Sequence, residues 1–284
     1  MKIGMKGMKI GMALAACLAA CAGARPLAHE AVVVSGTAGE PHVSSGGEGS
    51  AVPVVFVHGL GSNLEVWRAP LDHLRRTRRA IAYDARGHGR SEPARDGDYG
   101  IDAMAGDLDR VVTSLRVERF WLVGHSMAGE VISAYAGMHP EKVAGLVYVD
   151  AVGDLSQAPE ALKAYFNAPA PPGFGANEMR AAFTEMLGDK AKPATRAQVL
   201  ESVAATRPEA FLGARRAMTM YSPAAGVARY QGPKVCIDAE GNDFAFRAAK
   251  SFSISRVKTL ANVSHWLMLD DPAGFVAALD EVLQ

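Results

Sequence analysis

Phe120-Trp121-Leu122-Val123-Gly124-His125-Ser126-Met127-Ala128-Gly129 decides how this chain is read. Phe120 to Val123 is a short apolar run of strand character, and the residues from Met127 to Met138 have helical composition. Between them lies G-x-S-x-G, with small residues on both sides of one serine. In a strand-turn-helix setting this pattern is a nucleophile elbow. Gly124, Ala128 and Gly129 let strand and helix approach closely. Ser126 is thereby expected in a strained, accessible position, where the backbone N–H groups at a helix N-terminus favour developing negative charge.

On either side of this turn, short apolar runs alternate with amphipathic stretches. Strands are expected at Val54 to Val57, Arg79 to Tyr83, Phe120 to Val123, Val143 to Val149, Lys234 to Ile237 and Arg256 to Leu260. Helices are expected at Asn63 to Arg76, Ile101 to Leu115, Met127 to Met138 and Pro272 to Leu283. The alternation predicts an α/β fold, a mostly parallel sheet with helices on both faces. Residues 154–228 break the pattern: Pro169, Pro171 and Pro172 separate helical stretches such as Asn177 to Leu187 and Arg196 to Ala204, and no strand is evident. They are expected as a helical cap inserted into a core made of residues 51–153 and 229–284.

The chain has 284 residues, 49% of them hydrophobic, enough for one buried core. Lys and Arg total 30 and Asp and Glu total 30, which gives no basic excess for a nucleic-acid partner. The run Arg75, Arg76, Arg78, Arg79 is expected as a solvated helix end followed by a strand start. Residues 1–20 carry Lys2, Lys6 and Lys9 ahead of an apolar stretch too short to span a bilayer, which reads as an export signal. Leu18-Ala19-Ala20-Cys21 resembles a bacterial lipoprotein signal with Cys21 lipidated, and Leu14-Ala15-Ala16-Cys17 is a second match. The expectation is a periplasmic or membrane-anchored bacterial protein, with a plain secreted one as the alternative. Residues 21–50, Gly- and Ser-rich from 36, are expected to be a flexible tether with a short irregular strand pair starting from Ala31-Val32-Val33-Val34.

A serine hydroxyl needs a base within hydrogen-bond reach. Of eight histidines, His265 stands in the loop before the terminal helix, where loop ends of parallel strands share one rim with Ser126. His125 is expected to turn away into the support of the elbow. His58-Gly59-Leu60-Gly61 follows the first core strand, and the amides of Leu60 and Met127 are the expected oxyanion donors. Neither a P-loop, a G-x-G-x-x-G nor a metal-ligand spacing is present, so no cofactor or metal is expected.

His58-Gly59, Asp84-Ala85-Arg86-Gly87-His88-Gly89-Arg90-Ser91, Gly124-His125-Ser126-Met127-Ala128-Gly129 and the late His265 together resemble the α/β-hydrolase superfamily, in its order, over roughly residues 50–284. The resemblance implies a hydrolase, most often of esters, and makes Asp84 to Ser91 a structural turn lining the site. It also implies a third triad member, an acid either near Asp243 or one strand earlier at Asp150. Asp243 lies only 22 residues before His265, and Asp238 to Asp243 departs from the usual pattern, with Ala239 in the glycine position. Asp150 ends a clean strand and is the reading adopted, with Asp243 and Asp238 as alternatives.

The expected chemistry is acyl transfer from a small ester-like molecule to Ser126, then hydrolysis. Thioesterase, amidase, C–C hydrolase and acyltransferase activities share this constellation, and a non-catalytic binding protein on the same fold is the alternative of another class. Phe174, Met179, Phe183, Met186 and Leu187 are expected to form an apolar acyl pocket.

Overall fold

The computed structural model describes residues 39–284. The export-signal reading, with Cys17 and Cys21, and the strand start at Ala31 to Val34 lie outside the described residues. Seven strands are β1 (Val43–Gly46), β2 (Ala51–Val57), β3 (Arg78–Tyr83), β4 (Phe120–His125), β5 (Val143–Val149), β6 (Lys234–Ala239) and β7 (Arg256–Leu260). They form one sheet in the order β1-β3-β2-β4-β5-β6-β7. The β1–β3 pair is antiparallel and every other pair is parallel.

Parallel strands flanked by helices are buried on both faces, which is why their sequences are almost continuously apolar. In β2 the side chains of Val54 and Phe56 join one core and those of Val55 and Val57 the other, as the two-residue period of a strand requires. The first core is closed by α1 (Arg68–Leu74) and α11 (Pro272–Val282), with Trp67 and Phe275 fully buried between them. The second is closed by α2 (Ile101–Ser114) and α3 (Ala128–Met138). The chain runs from β2 outward to β3, then crosses back to β4 on the other side of β2. The loops following β2 and β4 therefore leave the sheet side by side in opposite directions, which opens a crevice at the strands' C-terminal ends.

Two expectations about the sheet's edge are corrected. Residues 43–46, within the expected tether, are strand β1, and Val43, Ser44 and Ser45 are buried. In the basic run Arg76 is exposed and Arg78 and Arg79 open β3, as expected, but Arg75 is not solvated. Arg75 is buried, donating to Ala80 O (3.1 Å) and Ser44 Oγ (2.8 Å). Arg79 reaches Ser45 Oγ (3.2 Å) and Leu115 O (2.8 Å), and Arg78 reaches Val52 O (3.3 Å). The small serines of β1 make room for these guanidinium groups, whose donors satisfy polar atoms that burial would leave unpaired.

Between β5 and β6 the chain forms α4 (Glu160–Asn167), α5 (Ala176–Leu187), α6 (Pro193–Ala205), α7 (Pro208–Met220) and α8 (Ala224–Arg229). Proline opens α6 and α7 at a position whose N–H has no helical partner. Helix α8 packs against α3: a Cβ on Gly137 would lie 2.5 Å from Gly226 Cα. The last segments are α9 (Ala248–Ser251) and α10 (Leu267–Asp270).

Arg86 anchors the loop after β3 to α2. Its Nε and Nη2 each lie 2.7 Å from the Asp107 carboxylate, and both side chains are buried. Removing one member of such a pair leaves an uncompensated charge, here relieved only in part by Arg110, which also bonds Asp107. Arg86→Met is expected to lower the free energy of unfolding by about 3 kcal/mol. Urea denaturation reads this directly, and a loss below about 1 kcal/mol would contradict it.

Candidate active site

Ser126 follows the last residue of β4 and has φ +54°, in the left-handed region that costs a residue with a Cβ about 1 kcal/mol or more. The bend is pinned by its own backbone. Ser126 N donates to Val149 O (3.2 Å), and Ser126 O accepts from Gly129 N and Val152 N, both at 3.0 Å. A Cβ on Gly129 would stand 2.2 Å from Val152 O, and one on Gly124 2.8 Å from Ala128 O. Larger residues at either position would force the strand, the helix or the loop after β5 apart.

The loop after β2 lies against this bend. Ala85 N donates to His58 Nε2 (2.9 Å), so His58 carries its proton on Nδ1 and donates it to Gly59 O (2.8 Å). A Cβ on Gly59 would come within 2.9 Å of Ser126 Cβ. Among the described residues the amides of Leu60 and Met127 make no hydrogen bond. Asp84 holds the outer side of this loop, accepting from Leu64 N (2.7 Å), Arg90 N (2.8 Å) and His42 Nδ1 (3.0 Å). Burial alone would raise its pKa, but these bonds and nearby His58 hold it below the ordinary value. The segment Asp84 to Ser91 does not border the cavity described below, contrary to expectation: it braces the loop from behind.

His265 sits between β7 and α10, and its Nδ1 lies 2.7 Å from Asp150 Oδ2. Asp150 directly follows β5, is buried, and has φ +42°. Its carboxylate also accepts from Asn242 Nδ2 and from Ala239 N (3.3 Å). With Nδ1–H donated to Asp150, the free lone pair of His265 is on Nε2. His265 and Ser126 border the same cavity, and no hydrogen bond joins them among the described residues. Such contacts are commonly loose before substrate binds.

The other two carboxylates are elsewhere. Asp243 is exposed and pairs with Lys250 (2.8 Å) and Arg247 (3.6 Å). Asp238 is buried, with Arg247 Nη1 at 3.5 Å, and burial together with the charge of Asp150 pushes its pKa up to about 6. His125 does more than support the elbow. Its Nε2–H donates to His265 O (2.9 Å), and the two rings lie 4.5 Å apart. Neither this contact nor that of Asn242 was foreseen: a histidine beside the serine was the only signal for the first, and Gly241-Asn242 in a post-strand loop gave none for the second.

The cavity has a volume of about 770 Å³ and a largely apolar wall, including Phe174, Phe183, Met186 and Leu187 as expected, with Phe211 and Trp266 in addition. Met179 is corrected: it is buried among the core residues and does not reach the cavity.

A profile of the alpha/beta hydrolase fold matches residues 52–201. This chain belongs to that family. Over 92 residues the chain is 41% identical to the non-heme chloroperoxidase CPO-A1 of Kitasatospora aureofaciens, covering 32% of this chain and 33% of that protein. It is 25% identical to the sn-1-specific diacylglycerol lipase ABHD11 of Danio rerio, over 84% of this chain and 80% of the lipase. The first match spans only about a third of its relative's length, as do several others. Among solved structures, a hydrolase from Pseudomonas aeruginosa shares the fold with a TM-score of 0.76 at 22% identity, covering 92% of this chain and 99% of that one.

Around the site, His58, His88 and His125 are all buried, and burial lowers the pKa of each, that of His88 to about 4. Above pH 6.5 these rings are neutral in both folded and unfolded chains. Below it the unfolded chain takes up protons that the folded chain refuses, so stability falls as pH drops from 6.5 towards 4. His88→Gln keeps a donor for Arg86 O but cannot titrate. Between pH 7 and 4.5 this variant is expected to lose roughly 2–3 kcal/mol less stability than wild type, read by urea unfolding at both pH values. Equal losses would refute the assignment.

Proposed function

We propose that this α/β hydrolase is a carboxylic ester hydrolase that works through an acyl-enzyme on Ser126. The observation carrying the reading is the 2.7 Å contact of His265 with Asp150, at the cavity that Ser126 also borders. Ser126 Oγ attacks the ester carbonyl while His265 Nε2 takes its proton, and buried Asp150 stabilises the imidazolium and fixes the tautomer. The amides of Leu60 and Met127 are the donors for the oxyanion, a contribution of several kcal/mol to the barrier. Collapse of the tetrahedral intermediate expels the alcohol, which leaves with the proton from His265. Water then attacks the acyl-enzyme by the same steps, yielding the acid and free Ser126.

Fluorophosphonate labelling separates this reading from that of a ligand-binding protein, since labelling is expected at Ser126 and should vanish in Ser126→Ala. Hydrolysis of 4-nitrophenyl hexanoate is expected to fall to background in Ser126→Ala and by roughly 10³- to 10⁴-fold in Asp150→Asn, with Asp243→Asn within about threefold of wild type. Loss confined to Asp243→Asn would move the acid to that residue. The signal-like N-terminus supports export with lipid attachment at Cys21. Metabolic labelling with tritiated palmitate is expected in wild type and not in Cys21→Ser; labelling of both would point to another residue.

A further inference from the structure

Helix α7 presents Phe211, Arg215 and Met218 to the cavity, at the i, i+4, i+7 spacing of one helix face. Two members of this stripe are apolar and the middle one is a guanidinium. Arg215 is half-buried. Its Nη2 donates to Ala168 O (2.8 Å), and its planar head lies 6.0 Å from the ring of Tyr165, another residue of the cavity wall. These two contacts orient the fork. The outer end of the fork is unspent: Nη1 makes no hydrogen bond, and the guanidinium forms no ion pair with any carboxylate among the described residues, while Nε is buried.

The other charges bordering the cavity differ in kind. Lys190 donates to Glu240 O (2.8 Å), and the Lys190, Glu178, Asp189 and Glu240 side chains are all exposed, where water and salt screen them. A guanidinium held at an apolar wall with spare donors is in a setting where a charged hydrogen bond is worth most. The planar fork matches a carboxylate, which can accept two of its bonds at once.

We infer that Arg215 is a substrate-binding residue, and that the ester this enzyme hydrolyses carries a carboxylate away from the scissile bond. The inference rests on the ester-hydrolase reading above and adds the class of ester. A neutral acyl chain fits the apolar wall but leaves Arg215 unpaired. A carboxylate-bearing chain meets both the wall and the charge.

The test compares mono-4-nitrophenyl adipate with uncharged 4-nitrophenyl hexanoate at pH 7.5, in wild type, Arg215→Gln and Arg215→Lys. A second pair, 4-carboxyphenyl hexanoate against phenyl hexanoate, asks whether the carboxylate belongs on the leaving-group side. Wild type is expected to favour the charged ester of one pair by roughly 10- to 100-fold in kcat/KM, mainly through KM, the scale of a charge-assisted hydrogen bond. Arg215→Gln is expected to lower that ratio by at least about tenfold, and Arg215→Lys to restore part of it. Both esters are read on the same preparation, so any misfolded fraction cancels. Ratios that are the same in wild type and Arg215→Gln for both pairs, with uncharged esters still hydrolysed, would overturn the role of Arg215 alone. No hydrolysis of any ester and no fluorophosphonate labelling of Ser126 would overturn both readings.

Discussion

The site depends on the register of three parallel strands. Val57 of β2 is level with Gly124 of β4, and His125 of β4 is level with Val149 of β5. Each strand ends in this row or one residue beyond it, so Gly59, Ser126 and Asp150 leave the sheet from one row. Parallel strands 4.7–4.9 Å apart thus bring three loops from distant parts of the sequence into contact before any side chain is considered. The two loops that must turn at once do so through a left-handed residue, Ser126 at φ +54° and Asp150 at φ +42°. Neither is a glycine, so each turn is held by its surroundings: Ser126 O accepts two backbone N–H groups, and Asp150 N donates to Ile237 O (2.9 Å).

That register also explains how two carboxylates coexist on adjacent strand ends. Asp150 has three donors, from His265, Asn242 and the amide of Ala239. Asp238 has Arg247 at 3.5 Å and a buried oxygen with no hydrogen bond. Burial first and the charge of Asp150 second raise the pKa of Asp238. Hydrogen-bond supply, more than position along the chain, distinguishes the acid that faces His265 from its neighbour.

The same contrast marks what could be read from the sequence. Apolar runs and the small residues around Ser126 are local signals, and they located six of the seven strands and the bend. Strand β1 escaped because Ser44 and Ser45 look like linker until Arg75 and Arg79 are known to cover them. Which of Asp150, Asp243 and Asp238 meets His265 was open, since all three follow strand-like segments near the same rim. What separates them is loop conformation, on which spacing is silent. In α5 the helical period identified the inward face at Met179, Phe183, Met186 and Leu187. It could not tell which of those residues meets the core and which the cavity.

The helices over the cavity are attached unequally. Phe183 of α5 and Val199 and Val203 of α6 are buried in the same core as Val54 and Phe56 of the sheet, so this side of the roof cannot move without opening that core. Helix α4 has no fully buried residue, and its Tyr165 is 61% exposed. Segments with little buried apolar surface open at low free energy, whereas those sharing the core open only with global unfolding. The roof therefore joins a fixed wall, which sets the shape presented to a substrate, to a weaker edge at α4. Arg215 bridges the two by bonding Ala168 just past the end of α4, so the strength of that edge is tied to a residue of the cavity wall.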